Sequence, residues 1–223
     1  MRKRRWRLWI IPTTVNVVLI STLTLANEKS EITKQSFASH EKAAQMSLQS
    51  IASTSYSKLI TDQEAKLLGF DSADEVKSAE LGPPLPVFRV GLKQLGDFMP
   101  SDDPEKLLSN ANFVIYPIMV GSKVRSSLTV TQSPKDKVWK TTKWGSGPLL
   151  RLLWKYRSSP SNFVVWIPAL NLYFLGDRSA GRLTLIPIED VPKQRFMAGQ
   201  EQPAEKVFSN LRIKAQARGE GPG

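Results

Sequence analysis

The sequence predicts a single α+β domain, built on a mostly antiparallel sheet with helices packed on one side, after a cleaved N-terminal signal. Three observations predict it. Apolar runs of strand length recur between residues 87 and 188, some alternating with period two and others continuous. Helical patterns come in groups around those runs, and the absence of regular βαβ alternation argues against a doubly wound fold. The first 26 residues carry the three-part pattern of an export signal.

That signal begins with five cations, Arg2, Lys3, Arg4, Arg5 and Arg7, and no acid. Residues 8–25 are largely apolar, and Thr24-Leu25-Ala26 ends the segment on small residues suited to cleavage. Pro12 and Asn16 interrupt the 18-residue apolar stretch, which makes it marginal as a permanent span of a bilayer about 30 Å thick. Cleavage is the expectation and an uncleaved anchor the alternative. Arg4-Arg5 raises the twin-arginine route, but Arg7 occupies an apolar position of that pattern, which favours the general route. The expected product is periplasmic or extracellular.

Cleavage halves the apparent basicity. The whole chain has 31 Lys and Arg against 20 Asp and Glu, so removing five cations leaves 26 against 20, a net charge of +6 instead of +11. The high pI is therefore poor support for nucleic-acid binding. With no cysteine in the chain, disulfides, thiolate metal sites and thiol nucleophiles are excluded. A secreted domain without disulfides points to a bacterial envelope rather than to a eukaryotic exterior.

Taken in order, residues 27–58 are polar and read as a partly helical arm, loosely attached, with a helix over 39–53 that uses Ala43, Met46, Leu48 and Ile51. The single domain is expected over 59–218. Thr61-x-x-Glu64 and Ser72-x-x-Glu75 match the capping box and predict helices over 62–68 and 73–79. Gly82-Pro83-Pro84 then ends helix. A strand is predicted over 87–92, and a short helix over 104–109 behind Asp103 and Pro104. The run 113–120 reads as a strand covered on both faces. Gly121-Ser122 turns into an alternating strand over 124–131, in which Val124, Ser126, Leu128 and Val130 face one way. A turn at 133–136 leads to a strand over 138–144. Leu149, Leu152, Leu153 and Tyr156 define a helix over 149–157. Strands follow over 163–167, 170–175 and 182–188. A last helix over 204–218 uses Val207, Phe208, Leu211 and Ile213, and residues 219–223 read as a frayed tail. Residues 105–110 echo residues 205–210 at four of six positions, which raises duplication of a sheet-plus-helix unit against chance likeness of two amphipathic helices.

No catalytic pattern outweighs its plainer explanation, so the sequence does not specify a reaction. His40, the sole histidine, sits in the polar arm beside Glu41, and a triad or zinc site needs more than one such ligand or a nucleophile nearby. Ser39-x-x-Lys42 and Ser55-x-x-Lys58 match a serine–lysine spacing, but the companion Ser-Asp-Asn and Lys-Thr-Gly elements are absent. Asp102-Asp103 and Glu189-Asp190 are sequence neighbours, whereas glycosidic carboxylates converge from different places across a cleft. No cofactor or metal is expected.

Charge segregation is the one feature that hints at a partner. Residues 123–157 hold nine cations and one acid, while residues 27–110 hold nine cations and thirteen acids. The candidate partner-binding set is Lys123, Arg125, Lys135, Lys137, Lys140, Lys143, Arg151 and Lys155, with Trp139 and Trp144 interleaved. A positive surface concentrates anions, and tryptophan beside cations is common at interfaces. The expectation is an exported, non-catalytic binding or accessory protein whose partner is an envelope protein, an anionic envelope polymer or a lipid surface. The compartment argues against nucleic acid, and nothing after the signal is apolar enough to span a membrane. The alternatives are a serine–lysine hydrolase and a structural subunit of an envelope assembly.

Overall fold

The computed structural model describes residues 37–53, 60–145, 147–178 and 181–219. The expected signal over 1–26, residues 27–36 of the arm, the pair Ser55 and Lys58, and residues 220–223 of the tail lie outside them. Among the described residues nine strands form one sheet. β1 (Glu80–Leu81) and β2 (Leu85–Arg89) lie along one edge of β3 (Ser109–Val120), and β4 (Lys123–Gln132) and β5 (Trp139–Trp144) follow on its other side. Beyond β2 the order continues through β6 (Phe163–Ile167), β7 (Leu172–Asp177), β8 (Thr184–Pro187) and β9 (Gln202–Pro203). Every pairing is antiparallel except that of β2 with β6, which joins two antiparallel halves. The fold is therefore α+β, with a mostly antiparallel sheet.

Six α-helices cover the described part of that sheet. α1 (His40–Ala52), α2 (Asp62–Leu67) and α3 (Ala73–Lys77) bury Ala44, Ile51, Ala65 and Val76 against Val114, Tyr116, Ile118 and Leu128. On the same face, α4 (Leu92–Asp97) and α6 (Ala204–Gly219) pack Leu95, Val207, Phe208 and Leu211 on Val165, Phe174 and Leu185. The remaining helix, α5 (Gly147–Tyr156), covers the opposite face, with Leu150 and Leu153 on Val87, Ile115, Val164 and Leu175. Strand alternation divides these cores: Val164 turns to α5 while its neighbours Phe163 and Val165 turn to α6.

Capping chemistry acts as the sequence predicts at α2. The Thr61 hydroxyl accepts from the Glu64 N–H at 3.2 Å, and the Thr61 N–H donates to the Glu64 carboxylate at 2.8 Å. At α3 only half of the box forms. Ser72 accepts from the Glu75 N–H, but the Glu75 carboxylate accepts from the Asp71 N–H instead. Gly69 closes α2 at φ +98°, where a Cβ would also meet the Arg125 carbonyl oxygen at 2.5 Å.

Five expectations are corrected. The first helix is not loosely attached. Ala43 and Ala44 let it approach the sheet, Leu48 and Ile51 are buried, and the Ser47 and Thr141 hydroxyls meet at 2.6 Å. Met46, expected on the buried side, is the exposed one. The strand expected over 87–92 ends at Arg89, and Leu92–Asp97 is helical, with only Leu92 and Leu95 as apolar signal over six residues. Residues 104–109 divide between a 3₁₀ turn (Pro104–Leu107) and the start of β3. The echoed hexapeptides therefore differ in structure, since 205–210 lie inside α6. Finally, the core side of α6 runs Ala204, Val207, Phe208, Leu211 and Ala215, which leaves Ile213 72% exposed.

Candidate functional site

The geometry sorts the ten predicted partner-binding residues into separate groups. Two of the cations in the basic stretch are consumed by the fold. Arg125 lies 2.6 Å from the Asp71 carboxylate and 2.5 Å from that of Glu75, with the Glu75 side chain largely buried. Arg157, just outside the set, donates to the carbonyls of Pro83, Pro84, Ser159 and Pro160 and lies 5.1 Å over the Trp154 ring. Desolvation lowers the Arg157 pKa from a value high enough that its charge persists. Lys123 opens β4, while Lys135 and Lys137 stand on the hairpin beyond its far end. A ten-residue strand puts those ends about 30 Å apart, so these lysines do not form one patch.

The tryptophans of β5 leave the basic face altogether. Simple alternation would place residues 139 and 144 on opposite faces. A register shift between Thr129 and Val130 inserts one extra residue in β5, however, and turns both Trp139 and Trp144 towards α1. There Trp139 is held by its own chain, with paired backbone hydrogen bonds to Phe37 and the His40 ring edge-on at 5.1 Å.

The same shift gathers Lys140 and Lys143 on the face of α5, where they pair in register with Thr131 and Thr129. A groove of about 250 Å³ opens on this face between α5 and the sheet. Its apolar lining comes from Val87, Ile115, Val164 and Leu149. Phe113 meets Trp166 edge to face, and Trp166 stacks on Tyr173 at 6.0 Å and 9°. Thr129, Thr131, Thr142 and exposed Lys143 add polar groups, with the Thr131 and Thr142 hydroxyls 2.8 Å apart. Burial pushes the Tyr173 phenol up, which keeps it neutral. The Trp166 indole nitrogen is buried with no acceptor, an orphan donor of the sort native interiors seldom carry. On the exposed side of α5, which lies on this same face, stand Arg151 and Lys155, the latter 4.9 Å from the Tyr156 ring. Sequence reading selected the lysines of this face but missed its aromatics. Trp166, Tyr173 and Phe113 lie on three strands that no local pattern relates.

A second cluster was not legible at all. The imidazole Nδ1 of His40 lies 2.6 Å from the Tyr116 hydroxyl, and its Nε2 lies 3.3 Å from Glu41. His40 is thus a contact between α1 and β3 rather than a solvated arm residue. Ser39, the described member of the serine–lysine pairs, spends its hydroxyl as the N-cap of α1, accepting from the Lys42 N–H at 3.2 Å. Among the described residues no group of three or more His, Asp or Glu is arranged to hold a metal ion, and no helix is long and apolar enough to cross a membrane. No family model matches the chain, and no curated protein and no solved structure shows significant similarity to it.

Proposed function

We propose that this chain is an exported, non-catalytic binding protein whose α5-side sheet face holds an anionic partner of the bacterial envelope. One observation carries the reading. Lys140 and Lys143 share a face with a concave aromatic and hydroxyl-lined groove, and neither is engaged in an ion pair among the described residues. Solvated lysines near apolar concavity draw anions in by field and hold their less polar parts by burial. Arg151 and Lys155 extend the field along α5, whereas Trp139, Trp144 and Arg125 take no part. The test is retention of bacterial-envelope components on the immobilised protein, followed by a salt gradient. Expected is one retained component, released by a few hundred millimolar salt as screening shortens the reach of the charges. The Lys140→Glu, Lys143→Glu double variant should not retain it. Equal retention by that folded variant would overturn the reading.

A further inference from the structure

A second concave site lies at the other end of the sheet and shares no residue with the groove. Val191 and Phe196 bond each other through both backbone amides, which closes a tight loop around the 3₁₀ turn Pro192–Gln194. Phe196 is buried edge-on against Phe174 at 5.7 Å and anchors that loop in the core. Its neighbour Arg195, at φ +57°, is exposed and lines a cavity of about 240 Å³. Lys206 and Asn210, four apart on α6, line it too, with Gln200 and Gln202 completing it.

The chemistry of this lining is one-sided. It holds two cations and three amides and no carboxylate. Neither Arg195 nor Lys206 is in an ion pair among the described residues. Gln202, only 6% exposed, sits among the residues that line the cavity. A guanidinium and an ammonium together select a carboxylate or a similar oxyanion. Each amide offers both a donor and an acceptor, which is what neighbouring hydroxyl groups use. The volume lies below the range of drug-sized pockets and so suits a single small unit.

We propose that this cavity binds one unit of an acidic sugar. The carboxylate lies between Arg195 and Lys206, and the ring hydroxyls pair with Gln200, Gln202 and Asn210. Calorimetric titration of the full chain at constant ionic strength tests it, using galacturonate, glucuronate, galactose and sulfate as probes. Saturable one-to-one binding of at least one uronate is expected, with no binding of galactose and much weaker binding of sulfate. Arg195→Gly suits the left-handed backbone at that position and removes only the guanidinium, and Lys206→Gln is an exposed helix change. Each should weaken uronate binding by about tenfold or more, with thermal unfolding unchanged. The proposal is overturned if neither uronate saturates, if sulfate or galactose binds equally well, or if both folded variants keep wild-type affinity. Because Lys140 and Lys143 lie elsewhere, the double reversal at those positions should leave uronate affinity unchanged, so the two sites fail or succeed separately.

Discussion

The hydroxyl of Tyr116 stands 2.6 Å from Nδ1 of His40, 76 residues earlier in the chain. This contact joins the first turn of α1 to the centre of β3, and it makes the amino-terminal helix part of the domain. Tyr116 is 3% exposed, and the imidazole is the side-chain partner of its hydroxyl among the described residues. Burial pushes its phenol far above the ordinary range, and the charge of Glu41 adds to the effect.

Replacing Tyr116 by Phe removes the hydroxyl and leaves the half-buried imidazole without that partner. The expected loss is about 1 kcal/mol in urea denaturation. The raised phenol also sets a pH dependence. A group held above its ordinary value of about 10 gives stability that is full below that pH and declines as pH rises. The unfolded chain releases the phenolic proton first, while the folded chain still holds it. Stability of the wild type should therefore fall above pH about 10 more steeply than that of Tyr116→Phe. Parallel curves would show that the phenol is not held up by the fold.

How much of this could be read beforehand depended on the range of the interaction involved. β3, β4 and β6 and the capped α2 follow from neighbours one to four residues apart, and the sequence displays such patterns directly. The fate of each cation depends on partners far away. Arg125 meets Glu75 50 positions earlier, and Arg157 meets Pro83 74 positions earlier, so counting charges could not separate structural cations from free ones. The orientation of Trp144 rests on one extra residue in β5, a bulge with no glycine or proline to mark it. Helix α4 escaped because six residues hold too few apolar positions to show a period.

The Ser47–Thr141 pair offers a clean separation of partner loss from burial. Both side chains are 2% exposed, and their hydroxyls have been placed 2.6 Å apart by two elements that the sequence separates by 94 positions. Ser47→Ala alone orphans the threonine hydroxyl and should cost about 1–2 kcal/mol. Thr141→Val alone should cost a similar amount. The double variant removes both polar groups and should be less destabilised than the sum of the two by about 1 kcal/mol or more. Strict additivity in a double-mutant cycle would mean that the two hydroxyls do not interact.

Arg125 is expected to matter to folding and not to binding. Its guanidinium bridges Asp71 and Glu75, and Gly69 packs against its carbonyl, so one residue ties the α2–α3 corner to β4. Arg125→Met keeps the stem but leaves the Glu75 carboxylate partly buried without its cation, at a cost of about 2 kcal/mol. Adding Glu75→Gln should recover part of that loss, because the stranded charge is then gone. Absence of any recovery would place the cost in packing of the guanidinium instead.

Lys140 and Lys143 should behave in the opposite way, and the contrast with Arg125 is what distinguishes a binding cation from a structural one. Both project from an edge strand, and reversing them should change stability by no more than about 0.5 kcal/mol. Their effect should appear as salt-dependent affinity for the anionic partner, lost in Lys140→Glu, Lys143→Glu, with both unfolding midpoint and slope retained. Arg125→Met, tested at a temperature where it remains folded, should bind with the wild-type salt dependence, since its guanidinium lies with Asp71 and Glu75 at the α2–α3 corner and lines no part of the groove. If Arg125→Met weakened binding as much as the double reversal, the basic stretch would be acting through its total charge, and the groove on the α5 face would lose its claim to be the site.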